Sequence, residues 1–324
     1  SYLILNDDLK KVEGEEVGEL FLIGPSVGLG YYHDPFRTEE RFINNPYQPN
    51  FSEKMYKTGD LVKYSSVDDK IYILGRKDNQ IKHMGYRIEL EEIEHALIQG
   101  EVDLAVHSHK DLETTPPTGL VIAAVSERED PSELLLIRSE SHDPSETFEL
   151  KAGARIGTSS ARRQSLLRNF RPDLLIEELR GNVPTRIEKL RSGQYDAILL
   201  AKAGVSRLNL DTSDLITLTL NPKEFVPAPA QGVLGLQVRE ADSQTYEWVR
   251  KLNYAPSEHC IHIEREVLRN MEGGCQLPLG VYNDGEVVHV SYAKSKQEAA
   301  ILIKLPIEKE LDLVPSIIET LNAL

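Results

Sequence analysis

The chain has 324 residues, with 37 Lys and Arg against 52 Asp and Glu, a formal charge of −15. Its 40% hydrophobic and 27% charged content is ordinary globular composition, enough for two or three domains, and the acidic balance argues against nucleic acid or an anionic membrane as partner. No apolar run approaches the roughly 18 residues of a membrane span and no signal-peptide pattern opens the chain, so a cytoplasmic protein is expected.

In chain order, residues 1–74 read as β-rich, with predicted strands at 19–23, 61–64 and 70–74 separated by Gly, Pro, Asn and Asp clusters. Residues 88–98 place apolar side chains at 90, 93, 97 and 98, the spacing of one helical face. Beyond them strands and helices alternate. Strands are predicted at 103–107, 119–125, 174–179 and 197–200, and helices at 161–170 and 183–192. From about Gln244 a helix, a strand pair around Gly285 and a C-terminal helix follow, so the larger part reads as α/β. Two cysteines, Cys260 and Cys275, are too few for a disulfide scaffold or a cysteine zinc site.

The first part contains Gly18-Glu19-Leu20, Met55-Tyr56-Lys57-Thr58-Gly59-Asp60-Leu61, Gly75-Arg76-Lys77-Asp78 and Gly85-Tyr86-Arg87-Ile88-Glu89. In this order they resemble the late core motifs of the adenylate-forming superfamily, the amino-acid adenylation domains and acyl-CoA synthetases, over residues 1–94. The resemblance implies that Asp60 and Arg76 hold the ribose hydroxyls of an adenylate and that Asp78 is a hinge. A carboxylate accepting from a diol and a guanidinium donating to it is sound hydrogen-bond chemistry. The phosphate loop, the acyl pocket and the late lysine of that superfamily are absent, so no adenylating activity is expected.

The second part carries His107-Ser108-His109-Lys110-Asp111, Glu127-Arg128-Glu129-Asp130, Gly157-Thr158-Ser159-Ser160-Ala161-Arg162-Arg163-Gln164, Leu179-Arg180-Gly181-Asn182, Pro229-Ala230-Gln231-Gly232 and Gly273-Gly274-Cys275-Gln276-Leu277-Pro278. This series resembles the porphobilinogen deaminase family over residues 92–324. The resemblance implies an α/β architecture of periplasmic-binding-protein-like domains, the first one incomplete, plus a small C-terminal α/β domain, all preceded by the β-rich adenylate-forming fragment. It also implies a transferase that joins four porphobilinogen units into a linear tetrapyrrole with release of ammonia. A dipyrromethane cofactor on Cys275 serves as primer. The implied boundaries are 1–94 for the fragment, 95–107 and 209–243 for the remnant of the first deaminase domain with its linkers, 108–208 for the second domain and 244–324 for the C-terminal domain. A monomer is expected.

Each residue also has a physical reading. Cys275 follows two glycines and precedes Gln276-Leu277-Pro278, a turn where backbone approaches a ligand closely, and a loop thiol can form a thioether with an electrophilic methylene-pyrrole. Cys260 matches no motif and reads as structural. The resemblance makes Asp111 the catalytic carboxylate, assisting ammonia loss and proton removal where charge develops on nitrogen, and makes Lys110 a ligand for a cofactor carboxylate. His107 and His109 face one way on a strand but lack a third ligand, so no metal is expected.

Porphobilinogen carries an acetate and a propionate, so its oligomers need fixed guanidiniums that grip carboxylates by paired hydrogen bonds. Arg162 and Arg163 follow Thr158 and Ser160 at a predicted helix start, where hydroxyls cap and free N–H groups favour anions. Arg180 and Arg186 flank a strand-to-helix turn, where both can meet substrate. Four cations at two helix N-termini oppose the macrodipole unless an anion is bound there. Glu127–Asp130 reads as structural charge pairing. The family's N-terminal strand, with its Arg-Gly-Ser-like turn, and its Phe-Thr-Lys-Glu-like helix have no counterpart, so exposed sheet edges and impaired turnover are expected.

Overall fold

The computed structural model describes the chain apart from residues 13, 15, 33, 66–69, 77–79, 84–85, 272–276, 308–309 and 324, and describes backbone alone at 36–37, 73–76, 80–83, 86–92 and 310–312. Two compact units divide it, Ser1–Ile81 and Lys82–Leu324. Cys275 and Asp78 lie outside the described residues.

In the first unit, strands β1 (Tyr2–Leu5), β2 (Val17–Ile23), β3 (Phe42–Asn44), β4 (Lys54–Ser65) and β5 (Lys70–Arg76), with helix α1 (Pro35–Arg41), build an antiparallel sheet. Leu5, Phe21 and Met55 are its buried centre. Two of the quoted motifs meet here, because β2 pairs Glu19 with Leu61 of β4. The buried Glu19 carboxylate accepts from Gly59 N at 3.2 Å. Gly18 must be glycine, since a Cβ there would meet Leu5 O at 2.9 Å. Asp60 and Arg76 are backbone partners across β4 and β5.

Strands β6 (Gln80–His83) and β7 (Tyr86–Glu89) pair with each other. They are followed by helix α2 (Leu90–Gln99) and strands β8 (Ala105–Ser108) and β9 (Leu120–Val125). The next run alternates: β10 (Glu133–Ile137), β11 (Arg155–Gly157), α3 (Ala161–Phe170), β12 (Leu175–Glu177), α4 (Val183–Arg191), β13 (Ala197–Ala201), α5 (Lys202–Arg207) and β14 (Ile216–Leu220). Then come β15 (Leu234–Arg239), α6 (Ser243–Arg250), α7 (Ala255–Asn270), β16 (Leu279–Asn283), β17 (Val287–Tyr292), β18 (Ile301–Pro306) and α8 (Glu310–Asn322).

Besides the β6-β7 pair, these elements make three sheets among the described residues. A five-stranded mixed sheet runs β12-β11-β13-β10-β14. Every residue of β10 is buried, as in a strand covered on both faces. Leu135 and Ile137 pack with Leu166 and Leu167 of α3 on one face, and Leu134 and Leu136 with Ile187 and Leu190 of α4 on the other. The second sheet is antiparallel, β8-β15-β9, with Ala105 and Leu120 packed on Leu97 of α2. The third, β16-β17-β18, packs its valines on Ile263 and Val267 of α7 and Ile317 of α8.

Sheet partners divide this unit differently from the expected boundaries. β9 hydrogen-bonds to β15 in the sheet that β8 joins, across residue 108. β14 pairs along the length of β10, beyond residue 208. The architecture is mixed α/β, and no helix among the described residues is long and apolar enough to cross a membrane.

Candidate functional site

Strand β8 delivers its side chains to a single 3-10 turn, His109–Asp111. Three ties fix that turn. His107 Nε2 bonds Gln237 Oε1 of β15 at 3.0 Å, and His109 N donates to Val233 O at 3.0 Å. Arg265 of α7 donates to the carbonyls of His109, Leu112 and Glu113. His109 packs inward, its ring 3.1 Å from where a Cβ on Gly235 would lie. Burial, with Arg265 and His107 nearby, lowers it to about 4, so it is neutral at pH 7.

Lys110 and Asp111, both half-buried, face the cations of helices α3 and α4, Lys110 those of α3 and Asp111 that of α4. Lys110 Nζ donates to Gln231 Oε1 at 3.3 Å. Burial pushes this ammonium below its ordinary range; Asp111 and Glu133 oppose the shift, while Arg163 and Arg162 add to it.

The Thr158–Ser160 turn starts α3 as anticipated: Ser160 caps the helix by accepting from Arg163 N at 3.4 Å, and Thr158 is buried. The anion that reconciles Arg162 and Arg163 with this helix start is the protein's own Glu133. Arg162 Nη2 donates to Glu133 Oε1 at 2.5 Å and Nη1 to Val226 O at 2.7 Å. Arg163 Nη2 donates to Glu133 Oε2 at 2.6 Å and Nη1 to Leu199 O at 3.0 Å. Burial alone would raise Glu133; Arg163 and Arg162 instead bring it down to about 2. Arg163 Nε remains buried with no partner among the described residues.

Arg186 sits in the first turns of α4, capped by Asn182, and its Nε donates to Gly181 O at 2.7 Å. Burial and Arg163 lower it to about 10 against the pull of Asp111, and it stays protonated at pH 7. Arg180 is exposed, so the two arginines of this turn differ in setting rather than sharing one. Four basic side chains, Lys110, Arg162, Arg163 and Arg186, thus gather around two carboxylates, Asp111 and Glu133, with Glu133 facing Lys110 and the α3 arginines and Asp111 facing Lys110 and Arg186.

Three participants escaped the sequence reading. Glu133 is hidden at the head of an apolar run and looks like a strand-edge charge. Gln231 lies in a quoted motif without an assigned role, yet is fully buried. Arg207, at the end of α5, donates to Gly232 O at 2.6 Å. The structural reading of Glu127–Asp130 has its counterpart in Arg128, which grips the fully buried Glu264 at 2.6 and 3.2 Å. Cys260 is half-buried on α7, and burial raises its thiol, the setting of an inert cysteine. Among the described residues no three metal-ligating side chains cluster.

Against known families, the description "porphobilinogen deaminase, dipyromethane cofactor binding domain" matches residues 54–247, starting upstream of residue 92, and "porphobilinogen deaminase, C-terminal domain" matches 259–304. The porphobilinogen deaminase of Nitrosomonas europaea is 41% identical over 223 residues, 67% of this chain and 70% of that protein. That of Chlorobium phaeovibrioides is 44% identical over 192 residues, 59% of each. The chain therefore spans about three-fifths of the length of such relatives. Among solved structures, an artificially fused adenylation–PCP di-domain protein from Klebsiella oxytoca is 35% identical over 36% of this chain and 21% of that one, with a TM-score of 0.27.

Proposed function

This chain belongs to the porphobilinogen deaminase family, and from that premise we propose that it joins porphobilinogen units, four in all, into a linear tetrapyrrole, releasing one ammonia per unit. The observation that carries the proposal is the gathering of four basic side chains, Lys110, Arg162, Arg163 and Arg186, around the Lys110–Asp111 turn. Buried positive charge without enough protein carboxylate is costly unless an anionic ligand completes it.

The matched domain is the family's dipyrromethane-binding domain, and the residues fit that group. A buried donor, Arg163 Nε, has no partner. Lys110 Nζ meets a neutral amide, and Arg186 donates to a backbone carbonyl rather than a carboxylate. Lys110, Arg163 and Arg186 would hold the carboxylate arms, with Arg162, Thr158 and Ser160 shaping that wall. Cys275 would carry the group: Gly280 of β16, five residues on, backs against Arg162 Cδ, where a Cβ would come within 3.0 Å. When bound, the group supplies the free pyrrole carbon at which the chain grows.

Asp111 would act on the incoming unit. Its carboxylate stabilises the positive charge that develops on the pyrrole as the aminomethyl nitrogen leaves, then accepts the proton released from the attacked ring carbon. Arg186, and Arg180 at the exposed rim, would orient the acetate and propionate. The five-stranded sheet and the β8-β15-β9 sheet correspond in this reading to periplasmic-binding-protein-like lobes. A chain charge of −15 suits a cytoplasmic monomer without nucleic-acid or membrane partners.

Turnover would be slow. β8, which presents the reactive turn, pairs only with β15 among the described residues, and Val106 on it is 57% exposed. This edge favours one second reading, a pyrrole-binding chimera without catalysis.

Intact mass after exposure to porphobilinogen tests both. The chain is expected to gain the mass of the pyrrole adduct, and Cys275→Ser to stay unmodified. An unmodified wild-type mass, or an adduct surviving in Cys275→Ser, overturns the assignment. Thermal stabilisation by porphobilinogen without ammonia release selects the binding module instead.

A further inference from the structure

Gln231 is an amide with no solvent exposure, in a loop unusually well tied for an irregular segment. Its Nε2 donates to Pro131 O at 2.8 Å, which fixes the flip of the amide, so Oε1 is the end that faces Lys110 Nζ at 3.3 Å. The loop backbone is held from three directions. Arg128 Nε donates to Gln231 O at 3.0 Å, and Arg207 Nη2 to Gly232 O at 2.6 Å. Ala230 N donates to Glu264 Oε2 at 2.7 Å. The ties hold a backbone that would not adopt this shape unaided: Ala230 sits at φ +60° without being glycine, and Gly232 at φ +90° leaves no room for a Cβ, which would lie 2.3 Å from Glu129 O.

We infer that Gln231 is a positioning residue for Lys110, locating its ammonium with a neutral acceptor so that the charge stays available to an anionic ligand. The choice of amide over carboxylate is the physical point. Asp111 already faces this amine, as do Glu133, Arg162 and Arg163. A third facing carboxylate, beside Asp111 and Glu133, would satisfy Lys110 internally, while an aliphatic side chain would leave the ammonium unlocated. The chain of ties also reaches α7. Glu264 holds both Arg128 and Ala230 N, so helix α7 sets where Gln231 stands.

The inference rests on the reading of Lys110 as an anion-binding cation, and its test needs no pyrrole. Limiting acetic anhydride acetylates Lys110 through its free amine, so the labelling rate against pH, followed by peptide mass, reports the proton affinity of that one lysine. Gln231→Glu is expected to shift the Lys110 profile upward by at least one pH unit, a tenfold slower labelling at fixed pH below it. Gln231→Leu shifts it downward. Should Gln231→Leu not fold, Arg207→Gln, which releases Gly232 O and removes the charge facing Glu129 without touching Gln231 or Lys110, is expected to change the Lys110 rate at least threefold while other lysines keep theirs. Identical Lys110 profiles in folded Gln231→Glu and wild type overturn the inference, whatever the outcome at Cys275. Shifted profiles with no pyrrole adduct leave it standing and sink the proposed activity alone.

Discussion

At Glu133 a carboxylate with no exposed surface meets Arg162 Nη2 at 2.5 Å and Arg163 Nη2 at 2.6 Å. Replacing it by glutamine keeps the shape and removes the charge, which leaves two buried guanidiniums facing an uncharged amide. Breaking such a pair from one side costs about 3–5 kcal/mol, so Glu133→Gln is expected to lower the urea midpoint strongly; a loss below about 1 kcal/mol would show the arginines compensated elsewhere. The pH dependence has a definite sign. The folded-state pKa lies below the unfolded value of 4.5, so this stabilisation is present above pH 4.5 and is lost as pH falls toward about 2. Glu133→Gln should lack that acid-limb loss. None of this was legible locally, because a glutamate opening a run of leucines reads as a strand terminus. Only the fold shows that its oxygens end between two arginines twenty-nine and thirty residues on. The arginines themselves were legible, since hydroxyl caps and paired cations sit next to one another in sequence.

At the scale of elements, local signals travelled well. The helices expected at 161–170 and 183–192 are Ala161–Phe170 and Val183–Arg191, each opened by a side-chain cap from Ser160 or Asn182. Sheet membership did not, because the pairing of β9 and β14 is set by strands far along the chain, which leave no local trace. The turn after β8 adds a consequence. His109 lines a cavity of about 200 Å³ together with Ile122, Ile261 and Arg265, and its Nδ1 is buried without a partner among the described residues. Its folded pKa of about 4 lies below the unfolded 6.5, so the folded state resists protonation while the unfolded state accepts it. Stability is therefore full above pH 6.5 and falls as pH drops toward 4, by up to about 3 kcal/mol. His109→Leu is expected to abolish that slope, and to raise stability at pH 7 by about 1 kcal/mol because an unsatisfied polar atom is removed. Chemical denaturation at pH 7 and pH 5 checks it: an unchanged pH slope in the variant would place the titration elsewhere.

Over the whole molecule, two electrostatic scales oppose each other. The chain carries −15 in total, whereas the candidate site gathers four basic side chains, Lys110, Arg162, Arg163 and Arg186, around two carboxylates, Asp111 and Glu133. An anionic pyrrole approaching from bulk water meets the net field first, and at distances beyond about 10 Å that field is screened by 0.1 M salt. Contacts inside the site are a few ångströms long and partly buried, so salt weakens them far less. Raising ionic strength from about 10 mM to about 150 mM should therefore speed the capture of porphobilinogen by removing long-range repulsion, while barely changing how long the captured pyrrole is retained. A protein that met its ligand through an exposed basic face would behave oppositely, its capture slowing as salt rises. Stopped-flow measurement of ammonia release or adduct formation across that range separates the two. Capture that slows with salt would mean the positive cluster projects its field through the mouth of the site, and that the net charge lies too far from the approach path to matter.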